Sequence, residues 1–154
     1  MSLKSEILDA VAARLGKIKA ANGYSIDVKR VYYDKIPMGI QLNSYQLPVV
    51  FILDASDYFE LEHSCLKGSW DFRLQLWHSN REGDFTMLDF VRQVMKNLYA
   101  DSPTAERSDA FRALHPSVYE LVPISVSTDL NMIDANRVSE LSFQVRYRTK
   151  LFNL

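Results

Sequence analysis

The chain has few of the residues on which disulfide-bonded, zinc-binding and nucleotide-binding proteins depend. Cys65 is the only cysteine among 154 residues, which excludes an internal disulfide and a zinc site built from several cysteines. A lone cysteine also favours a reducing compartment. The five glycines, at positions 16, 23, 39, 68 and 83, stand too far apart to form a Gly-rich phosphate-binding loop. We therefore expect no nucleotide site of that kind.

The chain also lacks an excess of charge and a long apolar run. Its 18 basic and 19 acidic residues leave a formal net charge of -1 at pH 7, so no overall field draws it to nucleic acid or to an anionic membrane. The longest uncharged stretch, residues 36–53, contains Pro37, Gly39 and Pro48 and is too polar and too broken to span a bilayer. Residues 1–6 lack the basic and apolar regions of a signal peptide. We expect neither a membrane partner nor specific binding of nucleic acid.

The composition is that of an ordinary globular protein, with 47% hydrophobic and 24% charged residues. A chain of 154 residues buries roughly 70% of the surface that its unfolded form exposes, which is enough for one core. We therefore expect a single domain over residues 1–154. Eight tyrosines and eight phenylalanines favour a core that is rich in β-sheet.

Hydrophobic periodicity predicts three helices. Apolar residues recur every three or four positions over residues 3–18, where Ser2 can cap the first turn and Gly23 supplies a left-handed end. A second apolar stripe, over residues 85–99, predicts a helix that packs on the core. A third, shorter helix over residues 103–114 begins at a proline, as first helical turns often do.

Runs of alternating or continuous apolar residues predict about five strands. They cover residues 26–33, 47–53 with an acidic extension to residue 65, 70–76, 118–128 and 138–152. A turn at Lys67-Gly68 is predicted to join two of them in a hairpin, and Pro123 indicates an edge strand or a bulge. The order of elements predicts an α+β fold, a mainly antiparallel sheet of about five strands with helices packed on one face.

The last predicted strand carries a basic row. From residue 141 onward apolar and polar side chains alternate, so one face of the strand lies on the core and the other meets water or a partner. The row on the polar face consists of Arg146, Arg148 and Lys150. It suits a solvated face, a protein interface or contacts with phosphates. Single-strand binders usually interleave aromatic residues with such charges, whereas the aromatic residues here have the opposite parity.

An acidic segment precedes the predicted hairpin turn. It has four acids in residues 54–62 and no basic residue among them: Asp54, Asp57, Glu60 and Glu62. Because Phe59, Leu61 and Cys65 alternate with these charges, the acids are predicted to line the solvent face of a strand while the apolar side chains face the core.

Residues 36–46 form an uncharged loop in this interpretation. The loop carries four apolar side chains, Met38, Ile40, Leu42 and Tyr45. They either fold back on the core of their own chain or form an exposed patch that another subunit covers. No helical or strand period directs them inward, so we predict that they contribute to a contact with a partner.

The residues that carry chemistry do not assemble into a catalytic set. His63, Cys65 and His78 would bind a metal only if the hairpin brought them together, and a fourth ligand is not evident. The acids of residues 54–62 lack the glycine turn and the spacing of a calcium loop. A small metal-dependent hydrolase and a nucleic-acid-binding module are the competing interpretations. We predict a non-enzymatic protein without a cofactor, in which Cys65 acts as a small apolar side chain.

Six segments carry a resemblance to a known family. They are the helix at 3–15, RVY at 30–32, LPVVFIL at 47–53, WDFRLQLW at 70–77, FVRQVMKNL at 90–98 and LSFQVRY at 141–147. In the order of these elements, in its size and in the character of its strands, nearly the whole chain resembles the tail terminator proteins of long-tailed bacteriophages.

The resemblance implies a structural role in the virion. Subunits of this family close into a ring, usually a hexamer, on the last ring of the tail tube, where they stop tube growth and present a joining surface to the head or neck. The implied partners are further copies of the chain, the tail tube protein and a head-completion or neck protein. The implied location is the head-proximal end of the virion tail, after assembly in the host cytoplasm. A neck or head-completion ring protein is the alternative.

A ring agrees with the distribution of charge along the chain. A head-to-tail interface joins two different patches, which must be complementary. The acidic segment and the basic row are candidates for these patches, although both also suit solvated faces of one subunit.

Overall fold

A computed structural model of the chain describes residues 2–33, 46–79, 87–100, 115–127 and 136–150. Within these residues, two helices lie against a five-stranded sheet. The helices are α1 (Leu3–Leu15) and α2 (Met87–Ala100). The strands are β1 (Arg30–Tyr33), β2 (Val49–Glu62), β3 (Cys65–Ser79), β4 (Val118–Ser127) and β5 (Asn136–Lys150).

The sheet is mixed and mostly antiparallel. Its strand order is β1-β2-β3-β5-β4, and the β1–β2 pair is parallel whereas the other three pairs are antiparallel. The central strand β3 pairs along its whole length with β5, from Cys65 opposite Lys150 to Ser79 opposite Asn136. The prediction of an α+β fold with about five mainly antiparallel strands is confirmed.

Both helices pack on one face of the sheet. The alternate residues Leu141, Phe143 and Val145 of β5 are fully buried there, while Arg148 and Lys150 on the opposite parity are exposed. The helices contribute buried apolar residues to the same core, Ile7, Val11 and Leu15 from α1 and Phe90, Val94 and Leu98 from α2. The predicted division of β5 into an apolar and a polar face is therefore confirmed as far as residue 150.

A buried asparagine joins the two helices at their C-terminal ends. Asn97 Nδ2 donates to the Arg14 carbonyl at 2.8 Å and to the Tyr24 hydroxyl at 3.2 Å. The Arg14 guanidinium in turn donates to the Leu98 carbonyl at 3.1 Å. These bonds satisfy carbonyls that helix ends leave without intrahelical partners, and they fix the relative position of α1 and α2.

The predicted start of α1 is confirmed, and its predicted end is wrong. The Ser2 hydroxyl accepts the Ser5 N–H at 3.2 Å, so it caps the first turn. The helix stops at Leu15, because Gly16 follows and glycine is a weak helix former. Gly23, with φ of 87°, ends the short 3-10 turn Ala20–Asn22 instead. The apolar stripe looked longer because Ile18 is fully buried although it lies beyond the helix.

The predicted hairpin turn at Lys67-Gly68 is also wrong. The turn between β2 and β3 is His63-Ser64, where His63 adopts the left-handed φ of 55° and Glu62 pairs with Cys65. Gly68 lies inside β3, where a Cβ atom would come within 2.1 Å of Cζ of Tyr147. The glycine therefore marks a close approach of an aromatic ring to the strand and not a turn.

The apolar run of residues 47–53 lies in the interior of the sheet, as predicted. Val50 and Ile52 belong to the core beneath the helices. Val49 and Phe51 point to the other face, where a second buried cluster is formed by Leu47, Val49, Phe51, Trp77 and Val138, with Tyr32 packed against it. The Tyr32 and Phe51 rings stack at a centroid distance of 4.9 Å.

The remaining predicted elements agree in part. Pro123 lies in β4, which is an edge strand with a bulge between Pro123 and Ser125, as predicted. The strand predicted to start at residue 26 begins at Arg30, although Ile26 before it is buried. The helix predicted over residues 103–114 lies outside the described residues. So do residues 36–45 of the predicted loop 36–46, with Met38, Ile40, Leu42 and Tyr45 among them.

Candidate functional site

Exposed large apolar side chains gather at the two edges of the sheet. Of the seven in the described part of the chain, three lie on β2, three on β4 and one, Tyr33, on β1. Those on β2 are Tyr58, Phe59 and Leu61, with exposed fractions of 57%, 57% and 65%. Those on β4 are Tyr119, Ile124 and Val126, with exposed fractions of 42%, 54% and 49%. Soluble domains rarely leave such side chains grouped on a surface unless a partner covers them.

The outer half of β2, residues 57–62, is named the β2 arm. It is an edge because β1 pairs only with residues 49–52, so among the described strands the arm pairs with β3 alone. The expectation that Phe59, Leu61 and Cys65 share a face on the core is wrong. Phe59 and Leu61 are more than half exposed, and Cys65 pairs with Glu62 on the opposite face. Period-two alternation indicates which face a side chain occupies, but it does not reveal that the described helices leave this part of the face uncovered.

The acidic residues near the base of the arm have partners within the chain. The Lys4 ammonium lies 2.8 Å from Oδ2 of Asp54 and 2.9 Å from Oδ2 of Asp57, and it lies 5.1 Å from the centroid of the Trp70 ring. Partial burial lowers the pKa of Lys4, but the hydrogen bonds and charges of the two carboxylates outweigh it and raise that pKa above its ordinary value. The pair of acids therefore holds the first turn of α1 against the sheet.

At the tip of the arm, Glu62 forms an ion pair with Lys67. The hydrogen bond from Lys67, together with its charge and that of Arg148, lowers the pKa of the Glu62 carboxyl. Glu60 lies opposite Lys67 in the β2–β3 pairing, and both its neighbours in the strand, Phe59 and Leu61, are exposed. The four predicted acids thus do not form one patch, because Lys4 draws two of them to the helix face.

The basic row lies on the polar face of β5, as predicted. The Arg146 guanidinium donates to Oε2 of Glu120 at 2.8 Å and to Oε1 of Gln144 at 2.9 Å. The Arg148 guanidinium lies 5.0 Å from the centroid of the Tyr119 ring. Arg146 is therefore partnered within the sheet, whereas Arg148 covers an aromatic ring at the β4 edge. A contact of the row with another subunit stays a prediction.

An open groove of about 480 Å³ separates the β2 arm from β4 on the polar face. Tyr58 and Glu60 line one side, Tyr119 and Arg146 the other, and Lys67 lies on the strand between. Its lining combines one carboxylate, two cations and three aromatic side chains. Such a mixed lining suits a protein surface better than a small anion.

The metal-binding alternative loses its geometric basis. Cys65 and His78 lie at opposite ends of β3, thirteen positions apart, which at about 3.3 Å per residue separates them by roughly 40 Å. Within the residues that the structure describes, no three His, Cys, Asp or Glu side chains are grouped as a metal site would require. The Cys65 thiol is half-buried and contacts the Thr149 carbonyl at 3.6 Å.

No helix in the described ranges is long and apolar enough to cross a membrane.

No family model matches the chain, and no curated protein matches its sequence. Among solved structures, it matches a chain of the virion of a native gene transfer agent (GTA) particle with a TM-score of 0.50, over 96% of either chain. The two chains share a fold. Their sequence identity is 13%, so the likeness extends to the fold alone.

Sequence reasoning missed the exposed side chains of β4. Ile124 and Val126 belong to the run of residues 118–128 that predicted the strand, and both are about half exposed. Pro123 was the available signal, because proline is confined to edge strands and bulges, and side chains at an edge have fewer neighbours to cover them.

Proposed function

We propose that this chain is a non-enzymatic structural subunit of a virion, and that it forms the ring which ends the tail tube at the head-proximal side. The observation that carries the proposal is the fold shared with a chain of the GTA virion over 96% of both chains. The resemblance of its segments to the tail terminator family narrows the role from virion component to tail terminator.

The surface of the chain supports assembly into a ring. A head-to-tail ring needs two different patches on each subunit, placed so that one patch meets the other on the next copy. The β2 arm and β4 lie at opposite edges of one sheet, and each carries three of the exposed large apolar side chains. A catalytic role has no comparable support in the described residues.

The implied partners divide between the faces of the ring. Copies of the chain supply the lateral contacts, the tail tube protein lies below and a neck or head-completion protein lies above. We assign the apolar side chains of the uncharged loop, Met38, Ile40, Leu42 and Tyr45, to a contact with a neighbouring copy or with the tube. A neck or head-completion ring is the second candidate, because a fold shared with a virion chain supports it equally.

The test begins with the protein alone. Mass measurement in solution and electron microscopy of the purified chain are expected to reveal closed rings, with six copies as the expected number. A chain that stays monomeric at every concentration, both alone and with the tube protein from the same particle, would exclude the proposed role.

A further inference from the structure

We propose that neighbouring subunits meet edge to edge, with the β2 arm of one copy lying along β4 of the next. This inference rests on the proposed ring, and it names the surfaces that close it. It differs from the contacts predicted from the sequence, because the central elements are two edges of the sheet and not a loop or a row of charges.

Strand direction favours this pairing. Both β2 and β5 are antiparallel to β3, so β2 and β5 run the same way, and β4 runs opposite to both. Copies related by rotation about an axis roughly along the strands keep their strand directions. The β2 arm of one copy would then meet β4 of the next in antiparallel orientation, which is the more stable ladder geometry.

The exposed apolar side chains are distributed as this contact requires. Tyr58, Phe59 and Leu61 lie on the arm, and each is more than half exposed. Tyr119, Ile124 and Val126 lie on β4 and are exposed by 42% to 54%. An exposed apolar edge is a template for pairing with another chain, so a contact between the two edges would bury both sets at once.

Charge favours a head-to-tail contact over a two-fold one. Lys4 already neutralises Asp57 and Lys67 pairs with Glu62, so the acid of the β2 arm that the contact must accommodate is Glu60. If two arms paired with each other, the two copies of Glu60 would be brought toward one another. On β4 the only charged residue is Glu120, which Arg146 already holds, and Arg148 lies beside it over Tyr119. Glu60 of the arm would therefore meet, on the neighbour, a strand whose one acid is already paired and which has Arg148 beside it.

A contact between two β4 strands is disfavoured for a different reason. Pro123 lacks an N–H, and the pairing of β4 is shifted at two places, between Val118 and Glu120 and between Pro123 and Ser125. Two such interrupted strands would form a poor ladder with each other. Pairing β4 with the β2 arm, whose register with β3 is regular from Asp57 to Glu62, leaves only one partner interrupted.

Cysteine cross-linking in the full chain tests the contact. In a Cys65→Ala background, Leu61→Cys is combined with Tyr119→Cys, Ile124→Cys or Val126→Cys in three separate double variants, so that no register needs to be assumed. Treatment of the assembled protein with a bis-maleimide is expected to give a ladder of covalent dimers, trimers and higher species in at least one of them. Each single-cysteine variant should give only background dimer. Leu61→Cys combined with Ala13→Cys, on the exposed face of α1, is the matched control.

The outcomes separate this inference from the proposed ring. If the mass of the assembly is retained but no double variant gives a ladder, the edges do not form the contact, while the ring stands. If Leu61→Cys alone is converted to dimer, the arms pair with each other and the head-to-tail contact is wrong. If the parent chain does not assemble at all, the ring and the inference both fail.

Discussion

Gly68→Ala tests the close approach of the Tyr147 ring to β3. The added Cβ would lie 2.1 Å from Cζ and 2.4 Å from Oη of Tyr147, whose side chain is buried. Carbon atoms in contact are separated by roughly 3.5 to 4.0 Å, so the ring must move by more than about 1 Å. Overpacking of this kind costs about 1 to 3 kcal/mol. Replacing glycine by alanine inside a strand stabilises the fold by about 0.5 to 1 kcal/mol, because alanine loses less conformational entropy on folding.

We therefore expect Gly68→Ala to lower the free energy of unfolding, by up to about 2.5 kcal/mol net of the two effects. In a chain of this size each kcal/mol corresponds to roughly 2 to 4 °C in Tm. The measurement is urea unfolding at a protein concentration low enough for the chain to be monomeric, followed by the fluorescence of Trp70 and Trp77. Ser69→Ala, one position further along β3 and on the other face, is the matched control and should be close to neutral.

A double-mutant cycle with Tyr147→Ala tests whether the Tyr147 ring causes the loss of stability in Gly68→Ala. When the ring is absent, the Cβ has room, and Gly68→Ala is expected to become neutral or stabilising by about 0.5 kcal/mol. The same loss in both backgrounds would refute the explanation from the ring contact.

Three further predictions concern single side chains. Because the pKa of Lys4 is raised in the folded protein, the Lys4 ion pair stabilises the fold at neutral pH, by about 1 kcal/mol for a half-exposed pair, and this stabilisation is lost as pH rises above 10.5. The free energies of unfolding of the wild type and of Lys4→Met should therefore differ at neutral pH and converge in alkali. An equal difference at all pH values would contradict this. Arg148→Glu should weaken assembly at low salt, and adding Glu60→Lys in the same chain should partly restore it. Assembly is judged by mass measurement. If Arg148→Glu assembles as well as the wild type, Arg148 does not lie at the interface. Cys65→Ala should retain assembly with a stability loss of roughly 1 kcal/mol, and loss of a stoichiometric metal in that variant, measured by elemental analysis, would show that the thiol is a ligand.

Sequence reasoning succeeds where a pattern is local and periodic. The alternation in β5, the buried run of β2 and the proline of β4 each determine a strand and its surroundings, because side-chain direction in a strand follows residue parity. Together with the apolar stripes of the helices, they predict the α+β fold with helices on one face of the sheet.

The errors arise where the cause lies far away in the chain. Gly68 has no side chain because Tyr147, 79 positions later, needs the space, and nothing near the glycine indicates this. Lys4 neutralises Asp54 and Asp57 of β2, which lie at least 50 positions away in the chain. A segment that is acidic in sequence is therefore partly ion-paired within the folded chain. The exposure of Phe59 and Ile124 depends on which elements lie next to each edge of the sheet, and the order in which the strands pair determines those neighbours.

The ring at the end of the tail tube is tested most directly by adding the purified chain to tail tube protein from the same particle during polymerisation. The lengths of the tubes and the position of the labelled chain are then measured by electron microscopy. The proposed function predicts that tube growth stops early and that the label lies at one end of each tube as a ring. Tubes that grow to the same lengths with and without the chain, and that carry no label at their ends, would contradict it.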